Sequence, residues 1–276
     1  MRWPSFLLAC ALALLAAGCA SPPSFDAGEA ARLSALLPAD VLLLGEQHDA
    51  PEHQQLERRT VQWLAGRGAL AALVMEMAEQ GHSTAGLPRG ASEAEARAAL
   101  DWSGPGWPWK DYGPVVMAAV RAGVPVLGAN LPRALLRQAM SDATLDDLLP
   151  GAAFQAQMKR IREGHCNALP EAQIVPMTRM QIARDRAFAS AVVGAGQPGR
   201  TVLLVTGGEH VTRTLGVPMH LLPQLKVKVI LAVAGQAQAA TDSEATDDLN
   251  EADLLWPTPP VPLRDYCAEF KTSRTQ

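Results

Sequence analysis

Two acids and two histidines stand where a fold would bring them together. The run Val41-Leu42-Leu43-Leu44 leads directly into Gly45-Glu46-Gln47-His48-Asp49. The run Thr201-Val202-Leu203-Leu204-Val205-Thr206 leads in the same way into Gly207-Gly208-Glu209-His210. Each reads as a buried strand ended by a glycine turn, with a histidine three residues after the first glycine. A third apolar run, Leu70 to Met77, carries Glu76 near its end. Uninterrupted apolar strands belong to parallel sheets, and such sheets bind ligands just outside the strands' carboxyl ends. Glu46, His48, Glu76 and His210 should therefore share one rim. Two carboxylates and two imidazoles can hold a divalent metal that activates water. One histidine, oriented by a carboxylate, can also serve as a general base. The same four side chains read equally well as a buried polar network that fixes the loops. No G-x-S-x-G, P-loop or HExxH pattern accompanies them.

The elements that must position these residues alternate along the chain. Pro51 suits the first turn of a helix whose face carries His53, Leu56, Thr60 and Trp63 and which ends at Gly66 and Gly68. Glu93 to Trp102 reads as helix, and Pro114 should open another over Val115 to Ala122. Val124 to Gly128 is a strand, and a helix follows around Arg133 to Met140. Asp142 to Pro170 is mostly helical, broken at Gly164-His165-Cys166, and a long helix runs from near Pro176 to Val193. Lys226 to Val233 and Asp253 to Trp256 are the last strands, with a polar loop from Gln236 to Glu251 between them. The alternation predicts a single α/β domain with a mixed, mostly parallel sheet flanked by helices.

The chain has 276 residues, 48% hydrophobic and 19% charged, so it can bury a large core and is not a disordered polymer. Its net charge of -4 gives no electrostatic case for nucleic acid as a partner. Arg2 and the apolar stretch Phe6 to Ala17 mark a targeting segment. Leu15-Ala16-Ala17-Gly18-Cys19 then fits a bacterial lipobox, although an ordinary secretory signal with a chance cysteine is the other reading. The lipobox divides the chain into a signal peptide over 1–18, a lipidated tether over 19–28 and a domain over 29–276. Ala20 after the cysteine favours the outer membrane, facing the periplasm. The protein would be anchored to the membrane and would not span it. Only Cys166 and Cys267 remain in the mature part. Outside the cytoplasm two such cysteines often pair, the alternative being two free buried thiols.

Several blocks carry a resemblance to a known family. They include Gly45-Glu46-Gln47-His48-Asp49-Ala50-Pro51-Glu52-His53, Met75-Glu76-Met77 and Trp107-Pro108-Trp109-Lys110-Asp111-Tyr112-Gly113-Pro114. Gly164-His165-Cys166, Met180-Gln181-Ile182-Ala183-Arg184-Asp185 and His210-Val211-Thr212-Arg213 continue it in order. The chain resembles the ChaN-like haem-binding lipoproteins, whose fold is related to that of the TIKI and erythromycin-esterase proteins. The resemblance implies haem as cofactor and a role in iron or haem acquisition or handling. Haem needs an axial ligand and a flat apolar slot. Tyr112 is then the expected ligand, with Trp107 and Trp109 packing on the porphyrin, His165 and His53 as second ligands and Arg184 within reach of a propionate. The other reading of Tyr112 packs it at a helix start with its hydroxyl on the backbone. A slot between two subunits would make haem binding and homodimerisation one event. The alternative function is a metal-dependent hydrolase using Glu46, His48, Glu76 and His210.

Overall fold

The computed structural model describes residues 24–104, 106–235, 251–262 and 264–273. Cys19 and the leader before it lie outside the described residues, as does most of the expected polar loop from Gln236 to Glu251. Six strands form one sheet: β1 Val41–Glu46, β2 Leu70–Glu79, β3 Val126–Asn130, β4 Thr201–Gly207, β5 Val227–Ala234 and β6 Leu254–Thr258. They lie in the order β3-β2-β4-β1-β5-β6, and every pairing between them is parallel. Antiparallel pairing among the described residues is confined to isolated bridges such as Ser83 with Leu127.

Every residue of β1 and β4 is buried, which is why these strands show no polar alternation in sequence. The period of two survives in what each side chain touches. Leu42 and Leu44 join one core cluster with Leu56, Leu64 and Val115, under α2 (Pro51–Gly66) and α4 (Trp109–Ala122). Val41 and Leu43 face the other cluster with Phe188, Ala189 and Val192 of α7 (Glu171–Gly194). Strand β4 lies between β2 and β1, so the three strands carrying the acids and the second glycine turn are neighbours.

Two helices begin earlier than their prolines suggest. The α4 helix starts at Trp109 and passes through Pro114, and α7 starts at Glu171 and passes through Pro176. Each proline removes one hydrogen bond in the second turn. Burial of Tyr112, Val115 and Val116 in α4, and of Ile174 and Thr178 in α7, offsets that loss. Tyr112 is the fourth residue of α4, in its first turn, so its place at a helix start holds. At the amino end, Asp26 and Glu29 form a capping box on α1 (Ala27–Ser34), and Phe25 packs on Trp256 with ring centroids 5.4 Å apart. The folded part thus begins a few residues before the expected boundary at 29. In the middle come α3 (Glu93–Ala99), α5 (Arg133–Ser141) and α6 (Gly151–Gly164). At the carboxyl end, α8 (Tyr266–Ser273) is joined to the loop after α6 by a Cys166–Cys267 disulfide. No helix among the described residues is long and apolar enough to cross a membrane.

Candidate functional site

The turn after β1 depends on Gly45. A Cβ there would lie 2.5 Å from Val211 Cγ2 and 3.0 Å from the Gly208 Cα, so only glycine lets the two turns approach each other. That approach sets Glu46 and His48 against Gly207 to His210. His48 donates from Nδ1 to Glu46 Oε1 at 2.7 Å. The Tyr112 hydroxyl donates to the same oxygen at 2.7 Å, and Gln54 Nε2 donates to Oε2 at 2.5 Å. Burial alone would raise the pKa of Glu46, but the hydrogen bond and charge of His48, with its other donors, hold it below the usual carboxylate value.

Glu76 forms the centre of the group. Its Oε2 accepts from Thr206 Oγ1 at 2.7 Å and from the Gly207 amide at 2.8 Å. His210 Nε2 lies 3.7 Å from one oxygen and His48 Nε2 4.0 Å from the other. Burial opposes ionisation here as well, and the two histidines together with these donors outweigh it, so Glu76 titrates below its ordinary value. Behind His210, Asp185 of α7 meets Nδ1 at 2.5 Å. The sequence-expected residues Glu46, His48, Glu76 and His210 are thus brought together, and Asp185 extends the row to carboxylate, imidazole, carboxylate, imidazole, carboxylate. Only His48 opens substantially to solvent, with 41% of its side chain exposed.

A divalent metal finds no support in this row. Among the described residues no three of His, Cys, Asp and Glu are grouped to hold an ion. Both Nδ1 atoms are already committed to carboxylates, and Glu76 spends Oε2 on Thr206 and Gly207.

The row floors a cleft of about 600 Å³ whose walls include Arg160, Ile161, His165, Arg184 and Tyr266. His165 donates from Nδ1 to the Ile161 carbonyl at 2.8 Å, which leaves the lone pair on Nε2. Arg160 pairs with Glu209 at 2.7 Å. Arg184 Nε is buried without a hydrogen-bond partner. A smaller cavity of about 360 Å³ adjoins the cleft, with Glu76 and Arg184 in both linings and Trp102, Trp107 and Asn130 also lining it.

Other residues singled out in the sequence lie elsewhere. Tyr112 is buried, and its hydroxyl is spent on Glu46, not on the backbone. Burial and the neighbouring charge of Glu46 push its pKa far above the usual phenol value, so it does not present a phenolate to the cleft. His53 is fully buried; its Nδ1 accepts from the Gln47 amide at 2.9 Å and its Nε2 meets Thr258 Oγ1 at 3.0 Å. Both nitrogens are used inside the core, so His53 is not brought to the cleft. Trp107 packs edge-on against His48 at 4.6 Å, whereas Trp109 lies against Trp102 and donates to Glu93, away from the cleft. The residue that the sequence reading passed over is Tyr266, whose hydroxyl donates to Asp49 at the cleft mouth. The signal was present: Cys267 follows Tyr266 and His165 precedes Cys166, so a bond between the cysteines sets both residues beside one bridge, with Phe270 the ring that packs on His165 at 5.8 Å.

Comparison with known proteins adds to this geometry. A family described as "Haem-binding uptake, Tiki superfamily, ChaN" matches residues 32–221. Among solved structures, the one titled "Cofacial heme binding to ChaN of Campylobacter jejuni" superposes with a TM-score of 0.62 at 23% identity, over 75% of this chain and 86% of that one. The type III effector HopBA1 overlaps at a TM-score of only 0.42 and 13% identity, over 80% of this chain and 88% of that one, and bears no weight here. No curated protein matches.

Proposed function

We propose, since the chain belongs to the ChaN family of haem-binding uptake proteins in the Tiki superfamily, that it binds haem in the cleft above Glu76 as a lipid-anchored envelope protein of haem or iron acquisition. The carrying observation is that His165 and Tyr266 both line the cleft, each next to a cysteine of the Cys166–Cys267 bridge. A ligating imidazole ordinarily donates its other N–H to a carbonyl, as His165 does to Ile161. A phenolate favours ferric iron; Tyr266 is exposed at the mouth, unlike the buried Tyr112, and to ligate it would leave Asp49, whose hydrogen bond raises its pKa. Arg184, with its buried Nε unpartnered, suits a propionate. These residues fit the group. Bound haem would supply the iron and the flat ring; the chain's own groups would ligate, orient and neutralise it. The cleft floor is polar and its mouth is open, so one face of a planar ring would need a second copy of the chain to cover it. That supports the homodimer. The test is a ferric haem titration of the chain from Ala20 onward, read by Soret absorbance and by size-exclusion mass. A saturable Soret change with a shift to dimer mass is expected. A trace equal to free haem plus inert protein would sink the reading.

One observation favours a second reading, hydrolysis by acid–base chemistry. Asp185 orients His210, Glu46 orients His48, and both Nε2 atoms face Glu76. Turnover of ester substrates that disappears in His210→Ala, with haem binding intact, would support it; turnover that persists in that variant would not.

A further inference from the structure

At the end of α2 remote from the cleft, arginines lie over aromatic rings. The Arg67 guanidinium is 4.0 Å from the Trp63 ring centroid, Arg59 is 4.5 Å from Phe25, and Arg32 is 4.7 Å from Trp256. A hollow of about 500 Å³ opens there, lined by Ser24, Phe25, Arg59, Trp63 and Arg67. The Trp63 indole N–H is buried and has no acceptor, although a buried donor is nearly always satisfied. Glu29 takes Arg59 at 3.0 Å. Arg67 and Arg32 donate to main-chain carbonyls, of Trp63 and Leu255. Arg59 is neutralised by Glu29 and Arg32 lies outside the lining, so the hollow offers the Arg67 guanidinium, without a carboxylate partner among the described residues, beside aromatic faces.

We propose that this hollow seats the headgroup of an anionic phospholipid in the bilayer that holds Cys19. Guanidinium groups bind phosphate through paired N–H donors, and Arg67 keeps donors beyond the one it gives to the Trp63 carbonyl. Tryptophan rings favour the membrane–water interface, where one edge is wet and the body is apolar. The tether sets the distance. Only Ala20 to Pro23 separate Cys19 from Ser24, a reach of no more than about 18 Å, and Ser24 is itself in the hollow's lining. The proposal rests on the lipid-anchor reading and is independent of haem. It also sets orientation: α2 starts beside the carboxyl end of β1 and runs back toward the start of β2. Headgroups held at its far end turn the cleft away from the bilayer.

The test uses the full chain, produced with its leader and processed in bacterial membranes. Mass spectrometry of the amino-terminal peptide reports whether Cys19 is acylated. The purified protein is placed in nanodiscs of three parts phosphatidylcholine to one part phosphatidylglycerol, with lipids brominated near the headgroup. Tryptophan fluorescence should be quenched, most of that quenching should vanish in Trp63→Phe, and Arg67→Glu should weaken it several-fold. An acylated chain whose quenching survives both substitutions overturns the docking alone. An unmodified Cys19 overturns the anchor, and the docking with it.

Discussion

Glu46 and Glu57 are neighbouring buried carboxyls with opposite fates. Glu46 is ionised because His48, Tyr112 and Gln54 all donate to it. For Glu57, burial, the Glu46 charge and a hydrogen bond to Glu46 raise the pKa well above the usual value, so it is a neutral acid that donates to Glu46. A neutral isostere should therefore be tolerated, with Glu57→Gln changing unfolding free energy by about 1 kcal/mol or less in urea. The folded chain keeps a proton on Glu57 that the unfolded chain releases above its ordinary pKa of 4.5. Stability from this group is full below that value and falls as pH rises toward the raised one. Glu57→Gln should flatten that fall; an unaltered slope would count against the assignment. The histidines give a second check. Burial would lower His48 and His210, but Glu46 and Glu76 raise the first and Asp185 and Glu76 the second above the usual 6.5. Asp185 is itself pushed up by burial to about 6, so it and His210 contend for a proton. Any stability these two histidines give is complete below 6.5 and lost as pH rises through their raised values. In a ring-carbon NMR titration they should titrate above 6.5 and His53, lowered by burial, below it. Asp185→Asn should bring the His210 midpoint down; an unmoved midpoint would remove Asp185 from the site.

At the scale of elements, the sheet was legible because its central strands are buried on both faces and announce themselves as apolar runs. Glu46, Glu76 and the second glycine turn fell at strand ends for the same reason. The α4 helix was misread because proline is a local signal and the burial that overrides it is not. That error mattered, since it left Tyr112 free to face a ligand when the helix in fact turns it onto Glu46. The α8 helix carries little local signal, and its place depends on a bond to a residue 101 positions earlier. Closing so long a loop is worth up to about 4–5 kcal/mol through the unfolded state. Replacing both Cys166 and Cys267 with serine should lower the urea midpoint accordingly and weaken haem binding by loosening Tyr266 and His165 together. Unchanged haem affinity in that variant would mean that α8 does not shape the site.

For the whole molecule, the parallel sheet separates two ends with different chemistry. The carboxyl ends of the strands carry the row of acids and histidines and the cleft. The far end of α2 carries Arg59, Trp63 and Arg67 beside Ser24 and Phe25. Sequence reading reached the first end through strand patterns and resemblance. It missed the second because no strand pattern points there, although Arg59, Trp63 and Arg67 are spaced at i, i+4 and i+8 along α2; only Arg32 is added by α1. The central claim is that the wall of His165 and Tyr266, not Tyr112, holds the haem iron. The most direct measurement is a side-by-side ferric haem titration of wild type, Tyr266→Phe, His165→Ala and Tyr112→Phe, compared by Soret position and affinity. Tyr266→Phe and His165→Ala should each shift the Soret band and weaken binding at least several-fold, while Tyr112→Phe should keep the wild-type spectrum. A spectrum altered by Tyr112→Phe and untouched by the other two would contradict the account.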